Sequence, residues 1–264
     1  MGALKGMFSF FTMIRLDIKQ EDMDAMDRNM WMTPLVGALY GLIAGVMMFL
    51  LTRYIAPLPA AVVTFFVIFA FNRFLHIDGT IDTGDGLVVA GTREDHLRAL
   101  KDSRIGAGGM AFALMVILMS VTMAASVWIP LMMLVLFTAE VLAKVGMVSV
   151  AAFGEPGDGM AGNSVRNTNA TSLLLAMVLA AVLAALFWAF VRLLELHTSL
   201  WISVPEGYLI MLIAALIASV LTGLMMSYIA KRNFGMVNGD VLGATNEITR
   251  ATVLLTFLIL ISVL

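Results

Sequence analysis

The chain has 264 residues, of which 61% are hydrophobic and 13% are charged, and its formal net charge is −2. Soluble domains carry about 25% charged residues, so this chain lacks the polar surface that a water-soluble fold needs. It has no cysteine, which excludes disulfides, thiolate catalysis, iron–sulfur clusters and zinc–thiolate sites. The composition therefore predicts an integral membrane protein whose solvent is the lipid bilayer, and we expect no nucleic-acid partner.

The N-terminus predicts a short helix rather than a cleaved signal peptide. Lys5 precedes the apolar run FSFFTMI, which is interrupted by Arg15 and is followed by no small-residue cleavage site. The run is too short to cross a bilayer. Two interpretations remain open: a helix that lies in the membrane interface, and a first helix that packs against the rest of the bundle.

About seven later segments are apolar over roughly the 20 residues that a membrane-spanning helix needs. Their continuous apolar runs are far longer than the strands of a membrane barrel. The very short turn at Trp128-Ile129-Pro130 predicts that the third and fourth spans are antiparallel neighbours. The sequence thus predicts an all-α, polytopic membrane helix bundle that forms a single domain over residues 1–264. The predicted spans are 33–53, 58–75, 109–128, 130–152, 172–194, 207–230 and 250–264.

Basic residues predict the orientation, because lysine and arginine in short loops mark the cytoplasmic side of a membrane. One side holds most of them, with Arg250 counted among its loop residues, whereas the other side holds only Arg53 and Arg192. We therefore expect an integral cytoplasmic-membrane protein with a cytoplasmic N-terminus. The long polar segments fall on that same side, which predicts that the protein works there and is not a channel with matched vestibules. These segments are 76–108, 154–171 and 231–249.

The segment HIDGTIDTGDG, residues 76–86, crowds three carboxylates against a membrane span. If it continues the second span as a helix, then Asp78, Asp82 and Asp85 share one face. Like charges at this spacing repel one another unless a cation lies between them. Carboxylate oxygens suit Mg²⁺ or Mn²⁺, and Mg²⁺ commonly shares its coordination with substrate phosphates. We favour a metal site over a solvated acidic loop, with His76 placed to position a substrate or move a proton.

Two further segments add groups that suit an anionic substrate. In KDSRIGAGG, Arg104 can bind a phosphate through two nitrogens, and glycine amides near a helix start can assist. A membrane-flanking anchor is the alternative interpretation. In NGDVLGATNE, Asp240 and Glu247 share a face if the segment is helical, although Asp240 can equally cap a helix. A fourth polar stretch, GDGMAGN at residues 157–163, is interpreted as a plain loop in preference to a lid.

The carboxylates, the cationic side chains and the glycine-rich segments beside them together predict metal-assisted phosphoryl or phosphodiester chemistry. The sequence contains no GxxxxGK[ST], no HExxH and no GxSxG pattern. The expected reaction is therefore the direct displacement of a nucleotide by an alcohol, without ATPase machinery.

The three motifs HIDGTIDTGDG, DSRIGAGG and NGDVLGATNE occur in this order along the chain. Together they resemble the patterns HxDGxxDxxDG, DSRxGxxG and GDxLGAxxE of cobalamin synthase, the adenosylcobinamide-GDP ribazoletransferase family. The stretch PLVGALYGLIAG also looks like the first span of that family, so the resemblance covers essentially the whole chain. The start FFTMIRLDIKQ and the loop 154–171 match the family only loosely.

The resemblance implies a membrane enzyme that uses Mg²⁺, with Mn²⁺ as a substitute. Its substrates would be adenosylcobinamide-GDP and α-ribazole or α-ribazole 5′-phosphate, with GMP as leaving group. A homo-oligomer and an assembly with other corrinoid enzymes are left open. The implied metal ligands are Asp78, Asp82, Asp85, Asp102, Asp240 and Glu247; the implied catalytic residues are Asp82, Asp85 and His76; the implied substrate contacts are Arg104, Ser103, Gly106, Lys231, Arg232 and Asn163.

Two alternatives explain parts of the same pattern. A CDP-alcohol phosphotransferase would have an Ala-Arg pair two residues after an Asp-Gly, whereas Asp78-Gly79 is followed by TIDTGDG. A cation-coupled transporter would place its acids near the bilayer midplane within repeated halves. Here the acids are predicted at one face of the membrane, and no convincing internal repeat is visible.

Overall fold

The computed structural model describes residues 2–197 and 207–263, and this part of the chain is built from α-helices. Six of them, the first counted from Met30, are long and apolar enough to cross a membrane, and a bent pair of helices brings the number to seven if it counts as one span. These helices confirm the predicted polytopic all-α bundle. The helices are α1 (Gly2–Phe11), α2 (Gln20–Asp27), α3 (Pro34–Leu51), α4 (Pro57–Phe71), α5 (Leu75–Val88), α6 (Arg93–Leu100), α7 (Ala107–Ser126), α8 (Met132–Phe153), α9 (Gly159–Asn167), α10 (Ala170–His197), α11 (Tyr208–Asn233) and α12 (Gly239–Val263).

Helix α8 is the centre of the bundle, and its residues from Met132 to Ala151 are all buried. Helices α3, α10, α11 and α12 pack around it. Glycines at every fourth position of α3 bring its backbone close to α8, and a Cβ at Gly41 would lie only 2.7 Å from Phe137 Cα. Small residues at such spacing are typical of packed membrane helices, where close backbone contact replaces the hydrophobic driving force.

The bent pair consists of α4 and α5, whose axes differ by 93°. Arg73 and Phe74 both have left-handed backbone angles, with φ of 57° and 58°, and two such residues in succession end a right-handed helix. The guanidinium of Arg73 donates to the carbonyl of Phe10 at 2.6 Å, which ties the bend to α1. The acidic segment, considered above as a continuation of the second span, thus follows that span only after a sharp break: α5 is a separate helix that runs at a steep angle to α4.

Two other expectations about the spans are corrected. Helix α12 begins at Gly239 rather than near residue 250, so Arg250 lies inside the bundle and is fully buried. It does not belong in the count of basic loop residues. Helix α7 packs against α4, α5 and α12 and not along α8, because the four helices around α8 already cover it. The short turn at residues 128–130 thus joins two helices that are not packed partners.

The N-terminal helix packs against the bundle, which selects one of the two open interpretations. Met7 and Phe11 of α1 are buried, and Tyr40 on α3 donates its hydroxyl hydrogen to the carbonyl of Phe11. The amide of Met13 donates to the carbonyl of Phe71 at 2.8 Å. Helix α1 therefore closes the end of the bundle where α4 bends into α5.

Candidate active site at one end of the bundle

The polar segments meet at one end of the bundle. Lys101 Nζ lies 3.7 Å from Asp158 Oδ2, and Lys231 Nζ lies 2.8 Å from Glu155 Oε1. The backbone amide of Val237 donates to the carbonyl of Glu155 at 2.7 Å. Segments that are distant in sequence are thus held together next to the start of α12.

Helix α5 crosses the start of α12 in close backbone contact. A Cβ on Gly79 would lie 2.7 Å from Asp240 Cα and 2.8 Å from its carbonyl oxygen. On the opposite helix, a Cβ on Gly243 would lie 3.1 Å from His76 Cα. Glycine is required at Gly79 because any side chain there would push the two helices apart. This contact brings Asp240 to the same place as the first two aspartates of the acidic segment.

Replacing Gly79 with alanine should reduce turnover by about 100-fold, because displacing reacting groups by about 1 Å can cost that much. The added methyl group would collide with backbone atoms of Asp240, which cannot move aside as a flexible side chain can. Steady-state rates of purified folded variants test the effect. Gly243→Ala is the matched comparison and should cost clearly less, since its nearest atom is at 3.1 Å. Equal losses in the two variants would contradict the proposed geometry.

Four carboxylates form an acidic cluster, which we define as Asp78, Asp82, Asp85 and Asp240. Asp82 is half-buried, and the other three carboxylates are close enough to repel its negative charge. Across residues 2–197 and 207–263, no three Asp, Glu or His side chains are placed to hold one ion by themselves. The donor set nevertheless fits Mg²⁺, which usually takes one or two carboxylates and completes its coordination with water and substrate phosphates.

Asp85 has both carboxylate oxygens engaged by backbone amides. Gly106 N donates to Oδ2 and Gly109 N donates to Oδ1, each at 2.7 Å. These donors belong to the residues that start α7, where free amides attract negative charge. Asp85 therefore ties the DSR turn and the start of α7 to α5. The amide of Gly106, expected to contact substrate, is used by Asp85 in this structure.

The DSR turn, residues 102–104, lies at the surface next to the hydrogen bonds of Asp85. Arg104 forms two hydrogen bonds with Asp102, from Nε at 3.2 Å and from Nη2 at 2.9 Å. This pairing lowers the pKa of Asp102 to about 2, and the Arg104 side chain is 88% exposed. Ser103 between them is also exposed. These three predicted residues thus lie at the rim of the site, where Asp102 and Arg104 form an ion pair with each other.

The remaining predicted substrate contacts also lie at the rim. Lys231 is paired with Glu155, whose pKa it lowers. Arg232 is exposed, and Asn163 accepts a hydrogen bond from Arg166 at 2.8 Å. The segment interpreted as a plain loop, residues 157–163, includes the first half of α9, which packs against α2. That interpretation is wrong for residues 159–163, which are helical; Ser164 of the same helix donates to the buried Asp27 at 2.6 Å and holds the helix in place.

His76 and Glu247 lie deeper than the acidic cluster. His76 is 2% exposed, and its Nδ1 lies 3.6 Å from Glu247 Oε1. Its Nε2 lies 3.4 Å from the ammonium of Lys144. Glu247 also pairs with Arg250 on its own helix. The expectation that Glu247 joins Asp240 in one acidic site is therefore not what this structure shows, because Glu247 is bound in the interior of the bundle.

Sequence reasoning missed a buried ion network, which we define as Glu140, Lys144, Glu247 and Arg250. Arg250 binds both oxygens of Glu140, at 2.6 Å from Nε and 3.1 Å from Nη2. All four residues are at most 1% exposed. The signal was present, because charged residues inside membrane spans are rare and usually paired or functional. Glu140 and Lys144 are four residues apart on the otherwise apolar α8, so they share a face.

A cavity of about 120 Å³ adjoins the acidic cluster. Asp78 and Asp240 line one side of it, and His76 lies in its wall. The other walls come from α1, α2, α8 and α9 and from the short turn before α3, and they are mainly methionine and phenylalanine. The site therefore combines carboxylates with an enclosed apolar space.

The fold and site define a polytopic membrane protein with an acidic site at one end of its helix bundle. The chain belongs to the cobalamin-5-phosphate synthase family, whose model matches residues 3–258. This match confirms the family that the three motifs indicated. No solved structure matches the chain.

Curated relatives cover almost the full chain. The adenosylcobinamide-GDP ribazoletransferase of Methanocella arvoryzae is 34% identical over 266 residues, which are 96% of this chain and 94% of the relative. The proteins of the same name from Methanosarcina mazei and Methanosarcina barkeri are each 30% identical. They cover 96% and 98% of this chain and 90% and 92% of their own lengths.

Proposed function

We propose that the chain is an adenosylcobinamide-GDP ribazoletransferase of the cytoplasmic membrane. The ribose hydroxyl of α-ribazole, or of its 5′-phosphate, attacks the phosphorus bonded to the aminopropanol oxygen of adenosylcobinamide-GDP. A new ribose O–P bond forms, the pyrophosphate P–O bond breaks, GMP leaves and the hydroxyl proton is released. The family supports this activity, and neither a CDP-alcohol phosphotransferase nor a transporter is favoured by its relatives.

One observation carries the proposal: the contact between Gly79 and Asp240 joins the first and third motifs at one place. Asp82 and one of its neighbours Asp78 and Asp240 would hold Mg²⁺, and water and the substrate phosphates would complete its coordination. When bound, the ion would neutralise the pyrophosphate and the leaving phosphate. Asp78 and Asp240 border the cavity, so one of them is placed to accept the proton of the attacking hydroxyl.

The rim would bind the phosphates from the other side. Arg104 is exposed and, within the described part of the chain, pairs with its neighbour Asp102. A guanidinium can exchange one carboxylate for a phosphate without changing its geometry. Asp85 would not touch the substrate in this scheme. It would position the turn that carries Arg104, through its bonds to Gly106 and Gly109.

The side of the membrane follows from the basic residues of the loops. Removal of Arg250 from the count leaves the asymmetry intact, since the opposite end still has only Arg53 and Arg192. The proposal therefore places the acidic cluster and the N-terminus on the cytoplasmic side.

Metal removal gives the direct test. Purified protein in liposomes, supplied with adenosylcobinamide-GDP, α-ribazole and Mg²⁺, should form cobamide and GMP in equal amounts. EDTA should abolish both products, and excess Mg²⁺ or Mn²⁺ should restore them, because carboxylates bind these hard ions.

Each alternative result has a distinct meaning. Full activity in EDTA would contradict the metal role of the acidic cluster. Absence of product from protein shown to be folded would contradict the transferase itself, and CDP-alcohol substrates would be assayed next.

A further inference from the structure

We propose that the apolar cavity binds the flat aromatic base of the acceptor nucleoside, so that the ribose hydroxyl reaches Asp78 and Asp240. The proposal rests on the proposed transferase function and assigns one of its two substrates to a place. It assigns the cavity to the acceptor, and neither the guanine nor the corrin ring of the donor would bind there.

The walls have the chemistry that an apolar aromatic ring requires. Met26, Met30 and Met147 come from three separate elements and are each at most 4% exposed, and Phe11 completes the wall at 9% exposed. Thioether sulfur makes favourable contacts with aromatic rings, and methionine adapts to the shape of what it contacts. Enclosed apolar pockets with a few polar groups at one end are typical of small-molecule sites.

The same walls suit a polar base poorly. The two hydroxyl groups in the wall already donate their hydrogens within the protein: Thr33 to the carbonyl of Met30 at 2.8 Å, and Ser164 to Asp27 at 2.6 Å. Guanine has several donors and acceptors on its edges, and burying them unpaired would cost free energy. The corrin ring is far larger than a cavity of about 120 Å³. A benzimidazole-type base has a mainly apolar outline and avoids both difficulties.

The position of the cavity orients the rest of the nucleoside. Its polar border is formed by Asp78 from α5 and by Gly239 and Asp240 from the start of α12. A base held among the methionines would therefore place its sugar beside the acidic cluster. Helix α9 contributes Met160 and Ser164 to the cavity, and the hydrogen bond from Ser164 to Asp27 fixes this wall to α2.

A change of cavity size should alter the choice of acceptor and leave the donor unaffected. We expect Met30→Trp to lower kcat/KM for the dimethylbenzimidazole riboside by about tenfold or more, since one methylene in a pocket is worth that much. The smaller imidazole riboside should lose less. Met30→Ala should improve the relative rate with a riboside of a larger tricyclic base. The KM for adenosylcobinamide-GDP should stay unchanged in both variants.

Two further measurements make the test decisive. Met225→Trp, at a position 49% exposed on α11, is the matched control and should keep the wild-type preference. Binding of the fluorescent dimethylbenzimidazole riboside alone, without donor, should weaken in Met30→Trp protein that elutes as a folded monodisperse species. An unchanged acceptor preference, or a raised KM for the donor instead, would overturn the proposal. Absence of product from wild-type protein would refute the transferase function and would leave riboside binding as the independent result.

Discussion

Replacing Asp82 with asparagine should abolish turnover and leave membrane insertion and folding intact. Asp82 is half-buried, and Asp78, Asp85 and Asp240 all act on it electrostatically. Asparagine keeps the size of the side chain but removes a charge that would hold the metal. A loss of several kcal/mol of charge stabilisation corresponds to a fall of at least about 1,000-fold in kcat, at about 1.4 kcal/mol per factor of ten. Product formation by the purified variant is the measurement.

The control for this variant is Asp17→Asn, which removes a carboxylate from an exposed position in the segment between α1 and α2. That change should leave the rate near the wild-type value, which excludes a general effect of lost negative charge. Near-normal activity of the Asp82 variant would rule out Asp82 as a metal ligand.

Replacing Arg250 with methionine should have the largest effect on stability. Arg250 is fully buried and binds Glu140 and Glu247, so the change removes their shared arginine partner and leaves an excess negative charge in the interior. Breaking a buried ion pair typically costs about 3 to 5 kcal/mol. We expect a much shorter half-life at elevated temperature in detergent and a lower yield from membranes. Combining Arg250→Met with Glu140→Gln should recover part of the loss, because the formal charges of the remaining Lys144 and Glu247 then sum to zero.

The chain contains a matched control for this pair. Arg192 and Glu195 on α10 have the same spacing of three residues as Glu247 and Arg250, but the Arg192 side chain is 47% exposed. Exposed pairs contribute little to stability, so Arg192→Met should leave the half-life almost unchanged. Equal losses in Arg250→Met and Arg192→Met would show that burial of the network does not matter.

Local spacing agreed with the secondary structure of the acidic segment. The positions of Asp78 and Asp82 indicated a helix from sequence alone, and the structure has that helix as α5. Its direction was not predictable, because Arg73 and Phe74 carry no sequence signal for left-handed angles. Their conformation is stabilised by contacts such as Arg73 with Phe10, which is 63 residues earlier. Information of that kind resides in tertiary structure and not in a local pattern.

The same dependence on residues distant in sequence explains why the contacts of Asp85 and the burial of Arg250 were not predicted. The amides that bind Asp85 are 21 and 24 residues away in sequence, so spacing on α5 could not reveal them. Hydropathy placed the start of the last span near residue 250, because charged residues lower the average over the first turns of α12. The helix continues into the bundle since the charge of Arg250 is matched by acids, one of them on α8.

The buried ion network has a consequence for the energetics of the membrane. Its two glutamates, one arginine and one lysine have formal charges that sum to zero, and they lie together within the bundle, with His76 between Lys144 and Glu247. A transmembrane voltage does work when a net charge moves across the membrane, at about 2.3 kcal/mol per elementary charge for 100 mV. The network as a whole has no net charge. The buried ion network therefore carries no net charge for the voltage to move, and we expect the transfer reaction to run at the same rate in energised and de-energised vesicles.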